Sequence, residues 1–352
     1  MKIPTRIAPA LAAAGTVLVA RTLRRREAVS FAGLSVVIAG ASRGLGLVLA
    51  RELGAEGARL TLLARDRDEL ARAREDLRSR GVDVEVIACD LRDQEEAQAA
   101  IEQVVQRHGR IDVLINNAGV IQAGPLEHME IADFEDSMAV HLWGPLYTMY
   151  AAAPHMKRQG GGRIVNIASI GGLVAVPHLL PYCTSKHALV GLSDGMRAEL
   201  AKDDILVTTV CPGLMRTGSH INALFKGQHR AEFAWFSIGD SLPLASIDAE
   251  RAARQIVDAC RHGDPHLTIT IQARVAAIVD RVAPNLMARV MILVNRLLPG
   301  PTDRGGDELR TGWESRSSWS PSALTQLSDR AAVDNNELQS RGDVAANVAA
   351  EH

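Results

Sequence analysis

The chain has 352 residues, 47% of them hydrophobic, which is enough for one large domain with extensions or for two domains, and for a sizeable core. Its 39 basic and 41 acidic side chains nearly balance, which argues against general nucleic-acid binding. The four cysteines, Cys89, Cys183, Cys211 and Cys260, are widely spaced with no CxxC pair, so neither a zinc site nor a disulfide framework is expected, and reduced thiols in the cytoplasm are the simplest reading.

Residues 1–33 form an apolar and basic leader. Between Arg6 and Arg21 lie 14 uncharged residues, followed by the arginine-rich RTLRRR. A spanning helix needs roughly 20 apolar residues, so the run is short. A signal peptide would carry a small-residue cleavage site where the arginines stand. Two readings stay open: a helix lying in or entering a membrane surface with the main domain on the cytoplasmic side, or a leader that packs on the protein or is disordered.

From Leu34 short β-rich apolar runs alternate with helical ones. The predicted strands are 35–40, 59–65, 82–90, 111–119, 162–169, 205–213 and 267–271. The predicted helices are 42–57, 66–81, 93–109, 133–156, 181–202 and 249–260. Such alternation means βαβ units and a parallel sheet, and the nearly all-apolar strands call for helices on both faces. The fold class is therefore α/β: a Rossmann-like, doubly wound sheet of seven strands over 34–272, with its ligand crevice at the strands' carboxyl ends. Residues 273–300 read as two apolar helices separated near Pro284, a C-terminal helical extension. From Pro301 to His352 the composition turns polar and reads as a mostly flexible tail, with Trp313 and Trp319 as candidates to dock part of it.

The first strand runs into GASRGLG, with Gly40, Gly44 and Gly46 immediately before a helix. Glycine lets a backbone turn tightly and approach a pyrophosphate, whose charge the helix N-terminus favours. Strand, turn and helix give the triplet the context it needs. The second strand ends at Arg65, 19 residues after Gly46, where an NAD site would carry an acid for the ribose 2′-hydroxyl. An arginine suits a 2′-phosphate, and Arg43 inside the turn could reach the same group, so NADP is favoured over NAD despite the adjacent Asp66.

Later motifs complete a pattern: Asp90-Leu91, Asn116-Asn117-Ala118-Gly119, Ser169, Tyr182-xxx-Lys186, and Pro212-Gly213 followed by Thr217. With the glycine turn these resemble the short-chain dehydrogenase/reductase family over about residues 34–272. The resemblance implies a dinucleotide held by Gly40, Ser42, Arg43, Gly44, Leu45, Gly46, Arg65, Asp90, Leu91, Asn117, Ala118, Gly119, Tyr182, Lys186, Pro212, Gly213 and Thr217. It implies Ser169, Tyr182 and Lys186 as the catalytic set, and a homodimer or homotetramer built on the helices at 133–156 and 181–202. A phenol is a poor base at neutral pH, and an ammonium four residues on, on the same helix face, would lower its pKa. His141, in VHLWG, stands where the family carries an asparagine that links the lysine to solvent through a water. A histidine can donate and accept too, so His141 is a relay candidate that would titrate near neutrality. Cys183 is read as helix packing rather than a redox switch.

The loop after Gly213 runs to about Ser246 and holds four of the twelve aromatic residues, Phe225, Phe233, Trp235 and Phe236. These would form a mobile apolar lid, or simply pack the loop on the body. The expected activity is hydride transfer between NADP(H) and a carbonyl or secondary alcohol, on an apolar, lipid- or steroid-like small molecule. The rival readings are a low-turnover NADPH-binding sensor and an epimerase or dehydratase on the same fold. No metal is expected, and peripheral membrane contact stays open.

Overall fold

The computed structural model describes residues 28–338 except 243–245, 304, 318, 319, 321, 323 and 324; the expectations for residues 1–27, for Trp319 and for the last residues of the tail lie outside the described residues. Seven strands build the main sheet: β1 (Ser35–Ala39), β2 (Arg59–Ala64), β3 (Val84–Ala88), β4 (Val113–Asn116), β5 (Gly162–Ile167), β6 (Ile205–Pro212) and β7 (His266–Ile269). Their order is β7-β6-β5-β4-β1-β2-β3, and every pair is parallel. The reversal of strand order beside β1 is the switch point at which such sheets open a crevice.

Alternation within one strand divides the core. Val36 and Ile38 of β1 face α1 (Gly44–Ala55), α2 (Arg67–Ser79) and α8 (Ala249–His262). Val37 and Ala39 face α3 (Gln94–His108) and α5 (Gly144–Arg158), with the flank of α6 (Leu180–Leu200). Each fully buried aliphatic side chain is worth about 1.5–3 kcal/mol. Local chemistry sets the helix ends. Asp66 caps α2 by accepting from the amides of Asp68 and Glu69, and Asp93 caps α3 in the same way. Gly109 closes α3 in the left-handed conformation.

Three expectations change. The single helix predicted over 133–156 is α4 (Ile131–Met138), a π-turn at Ala139–Trp143 and α5. Pro145 has no amide hydrogen and its ring crowds the carbonyl four residues earlier, so the ladder slips by one residue there. Residues 28–33 belong to the body, not the leader, because Phe31 is fully buried under the Arg261 guanidinium.

The third change is the largest. The described part of 301–338 is ordered. Arg310–Thr311 pairs with Leu224–Phe225, which pairs with Gln122–Ala123. Trp313 and Leu338 pack on a cluster of Phe225, Phe233, Phe236 and Ala332. Helix α11 (Gln326–Asp334) lies against α7 (His229–Ser241). Composition misleads here because the tail is anchored through small polar groups: Ser237 donates to Ser320 Oγ at 2.9 Å and Ser241 to the Thr325 carbonyl at 3.2 Å. Rules that count apolar residues do not register such bonds. The apolar pair after β7 forms as expected, as α9 (Ile271–Val282) and α10 (Pro284–Asn295).

Candidate active site

The glycine turn leaves β1 and enters α1 at Gly44. Gly40 and Gly44 have φ of +78° and +56°. A side chain at Gly40 would collide with the backbone of Ala118, and one at Gly46 with the carbonyl of Gly40. Asn117 fixes the turn from β4, donating to the Gly40 carbonyl at 2.6 Å. The result is bare backbone at a helix N-terminus, which fits a dinucleotide diphosphate in shape and in donors. Leu45 and Leu91 are buried. Asn116 ties the sheet to the helices: it donates to Asn166 Oδ1 at 2.8 Å and accepts from Thr148 at 2.7 Å.

Across the crevice, Pro212 ends β6, Gly213 lies against Thr270 and Ala273, and the Thr217 hydroxyl donates to Ser219 at 3.0 Å. Arg65 is exposed at the end of β2. Burial raises the Asp90 carboxyl, but hydrogen bonds from Arg92 and the charges of Arg92 and Arg65 hold it below its ordinary value. Ser42 and Arg43 both contact Glu69, at 2.7 and 3.0 Å, and Arg43 also meets Glu337 at 3.4 Å.

The structure brings Ser169, Tyr182 and Lys186 together. Ser169 follows β5 and its Oγ accepts from the Gly171 amide at 3.0 Å. A Ser169 hydrogen bond lowers the Tyr182 phenol, yet burial outweighs it and holds the phenol above its ordinary value. Lys186 Nζ lies 5.7 Å from the centre of the Tyr182 ring and donates to the Ile167 carbonyl at 2.9 Å. Burial pushes this ammonium down to about 7. The expected lowering of the phenol by its lysine is thus not what this arrangement has. Both groups lose water, and desolvation opposes the charged form of each.

Residues 35–224 match the family model for short chain dehydrogenases. The chain belongs to the short-chain dehydrogenase family. It is 40% identical over 192 residues to a putative ketoacyl reductase of granaticin polyketide synthesis from Streptomyces violaceoruber, a match covering 51% of this chain and 67% of that one. Among solved structures it resembles L-sorbose reductase from Gluconobacter frateurii in complex with NADPH and L-sorbose, with 25% identity and a TM-score of 0.62 over 68% of this chain and 97% of that one. An NAD+-bound xylitol dehydrogenase is 27% identical with a TM-score of 0.59, over 68% and 99%. The short-chain dehydrogenase is accordingly an NAD(P)-dependent oxidoreductase with a Rossmann-like fold.

His141 of this short-chain dehydrogenase sits inside the π-turn, fully buried and edge-on to Tyr182 with ring centres 5.4 Å apart. The Val120 amide donates to its Nε2 at 3.1 Å, so the ring proton is on Nδ1 and is donated to Ser185 Oγ at 2.7 Å. Ser185 in turn donates to the Tyr182 carbonyl at 2.9 Å. Burial, and then the Lys186 charge, hold the imidazole neutral well below its ordinary value. The expected titration near neutrality is therefore corrected. With both nitrogens engaged, neither is left for a water between Lys186 and solvent.

The aromatic lid is corrected as well. Phe225 and Phe233 are fully buried and, with Phe236, form the core beneath the tail. Trp235 donates to Glu232 at 2.7 Å, and Glu232 pairs with His178 at 2.8 Å. These rings hold the loop on the body. Sequence reading missed Asp240 on the same helix, a buried carboxyl raised by desolvation to about 8 whose charge helps keep the Tyr182 phenol high. An isolated aspartate in a helix gives no signal of that place. Cys183 is buried and its thiol is pushed up by desolvation, as packing requires.

The residues Asn335–Glu337 also enter the site, where no sequence motif placed them. The Gly44 amide donates to the Asn335 carbonyl at 2.9 Å. A Cβ on Gly44 would stand 2.6 Å from Glu337 Oε1.

Proposed function

We propose that this enzyme is an NADP(H)-dependent reductase, or the reverse dehydrogenase, for a ketone and secondary alcohol pair, with Ser169, Tyr182 and Lys186 as its catalytic set. The observation that carries the reading is the convergence of Lys186 Nζ on the Tyr182 ring at 5.7 Å, with Ser169 near enough to the same phenol to lower its pKa. When bound, the nicotinamide supplies or accepts the hydride. Tyr182 gives or takes the proton at the substrate oxygen, and Ser169 holds that oxygen by a hydrogen bond. Lys186 places positive charge beside the phenol and holds the nicotinamide ribose. His141 positions the α6 turn that carries Tyr182, through Ser185.

Preference for NADP rests on Arg65, exposed at the β2 end with no acid taking its place. Arg65→Ala is expected to weaken NADPH binding about 10- to 100-fold while changing NADH binding less than about 3-fold, an ion pair with a phosphate being worth about 1.5–3 kcal/mol. Equal losses for both cofactors in fluorescence titrations would remove the preference.

An apolar substrate is supported by α9 and α10. They begin where Thr270 and Ala273 press on Gly213, and with the turn after α10 they expose Ile271 (75%), Val282 (79%) and Leu297 (79%) to solvent. Reduction confined to small polar ketones, in a panel including steroid and long-chain ketones, would refute this part. The pair and the residue that follows it carry Arg274, Arg281, Arg289 and Arg296 against Asp280 alone, a charge suited to an anionic lipid surface. Among the described residues no helix is long and apolar enough to cross a membrane. Cosedimentation with phosphatidylserine vesicles is expected, falling at least 5-fold for Val282→Asp/Leu297→Asp; binding that is absent or unchanged by the variant rejects the contact. Exposed Trp143 and Tyr150 beside α5 support a homodimer or homotetramer, checked by light scattering.

The sensor reading is favoured by one observation, the chain's own tail on the glycine turn. NADPH oxidation by the wild type that disappears in Tyr182→Phe decides for the enzyme; no turnover on any substrate, with NADPH bound, decides for the sensor.

A further inference from the structure

The dinucleotide reading places a diphosphate between the glycine turn and the Pro212–Thr217 segment, and the chain itself already bridges those two walls. Asn335 does so alone. Its carbonyl accepts the Gly44 amide at 2.9 Å, and its Nδ2 donates to the Thr217 carbonyl at 3.2 Å. Asn336 is held beside it in the left-handed region, at φ +59°, where asparagine is among the few side chains tolerated. Its Nδ2 donates to the carbonyls of Ser42 and Glu69 at 2.7 and 3.1 Å, and its Oδ1 accepts from Arg72 at 2.8 Å. The Glu337 side chain is only 3% exposed. Its carboxylate lies against Gly44, at the N-terminus of α1, with Arg43 at 3.4 Å and Asn222 at 2.7 Å. Arg51 holds Asn335 Oδ1 at 3.0 Å, and Ala332 fills the space left by the missing side chain of Gly218.

A helix N-terminus, an arginine and a side-chain amide around a buried acid resemble the surroundings of a bound phosphate. The Glu337 carboxyl and a diphosphate cannot occupy the same space against Gly44. We propose that residues 335–337 are an intramolecular latch that competes with the dinucleotide for the glycine turn, so that cofactor binds only when α11 and the segment after it swing away. The latched form is catalytically silent. Apparent cofactor affinity is then the intrinsic affinity multiplied by the fraction unlatched. Apart from the buried Ala332, α11 and the residues after it are held largely by polar groups, as at Asn335 and Asn336, which suits an element that opens while the sheet stays folded.

The inference rests on the dinucleotide reading, and the test separates the two. NADPH binding to the full-length protein is measured by fluorescence titration, for the wild type and for Asn336→Ala/Glu337→Ala. Neither substituted residue is in the catalytic or cofactor-binding set. The variant is expected to bind NADPH at least 10-fold more tightly. Hydrogen exchange on the wild type is the second measurement, independent of whether the variant folds: NADPH is expected to speed exchange in 326–338. Unchanged affinity in a folded variant, or slower exchange in 326–338 with NADPH, overturns the latch; the second result would make the segment a cover over bound cofactor. Absence of NADPH and NADH binding in both proteins would bring down the dinucleotide reading, and the latch with it.

Discussion

Tyr182→Phe is expected to lower kcat for carbonyl reduction by about 10²- to 10⁴-fold, the range for loss of a positioned general acid, with NADPH affinity unchanged within about 2-fold. Only the phenolic oxygen is lost, and the ring keeps its edge contact with His141, so the melting temperature should move little. The pH profile gives a second reading of the same chemistry. Burial holds the phenol protonated beyond the neutral range, the state that donates a proton in reduction. Burial also lowers Lys186 to about 7. The positive charge beside the developing alkoxide is therefore present below pH 7 and lost as pH rises through that value. Reduction should slow above pH 7, alcohol oxidation should rise with pH, and Lys186→Met should remove the inflection near 7. A Tyr182→Phe enzyme retaining more than about a tenth of wild-type kcat would rule out the assigned acid.

The second large effect concerns stability. Lys226 and Asp133 form an ion pair at 2.7 Å with side chains only 3% and 4% exposed, joining the segment before α7 to α4. Asp133 also accepts the Glu130 amide at 2.8 Å at the start of α4. Lys226→Met leaves a buried carboxylate without its partner, a change that costs about 3–5 kcal/mol. In a protein of this size the melting temperature should fall by roughly 4–7 °C. Lys226→Met/Asp133→Leu should recover much of the loss, because removing both charges also removes the desolvation penalty; the Glu130 amide keeps the recovery incomplete. A fall below about 2 °C in the single variant, by calorimetry, would show that the pair is not buried in solution.

The proposed catalytic constellation was legible because its spacing is local in the sequence. Tyr182 and Lys186 share one helix face by spacing, and Ser169 stands at a strand's carboxyl end, which the alternation of strands and helices fixes. Gly40, Gly44 and Gly46 are legible for a similar reason: the turn requires backbone without side chains, and only one residue type provides it. His141 was recognised as a departure, but its tautomer and neutrality depend on Val120 and Ser185, brought to it by other elements. The Phe225–Phe236 aromatics were counted correctly. Whether they lined a cavity or filled a core depended on the tail, and a composition rule had discounted that tail.

Period, glycine placement and the Tyr-to-Lys interval are properties of short stretches, so the amino-acid order alone determined a parallel seven-stranded sheet, a glycine turn and a hydroxyl–amine set. Tertiary structure decided the protonation of those groups, because desolvation is set by everything packed around them. It also decided what lies on the glycine turn. Asn335 meets Gly44 nearly three hundred residues away, through bonds between small polar groups that leave no periodic or hydrophobic trace in the chain.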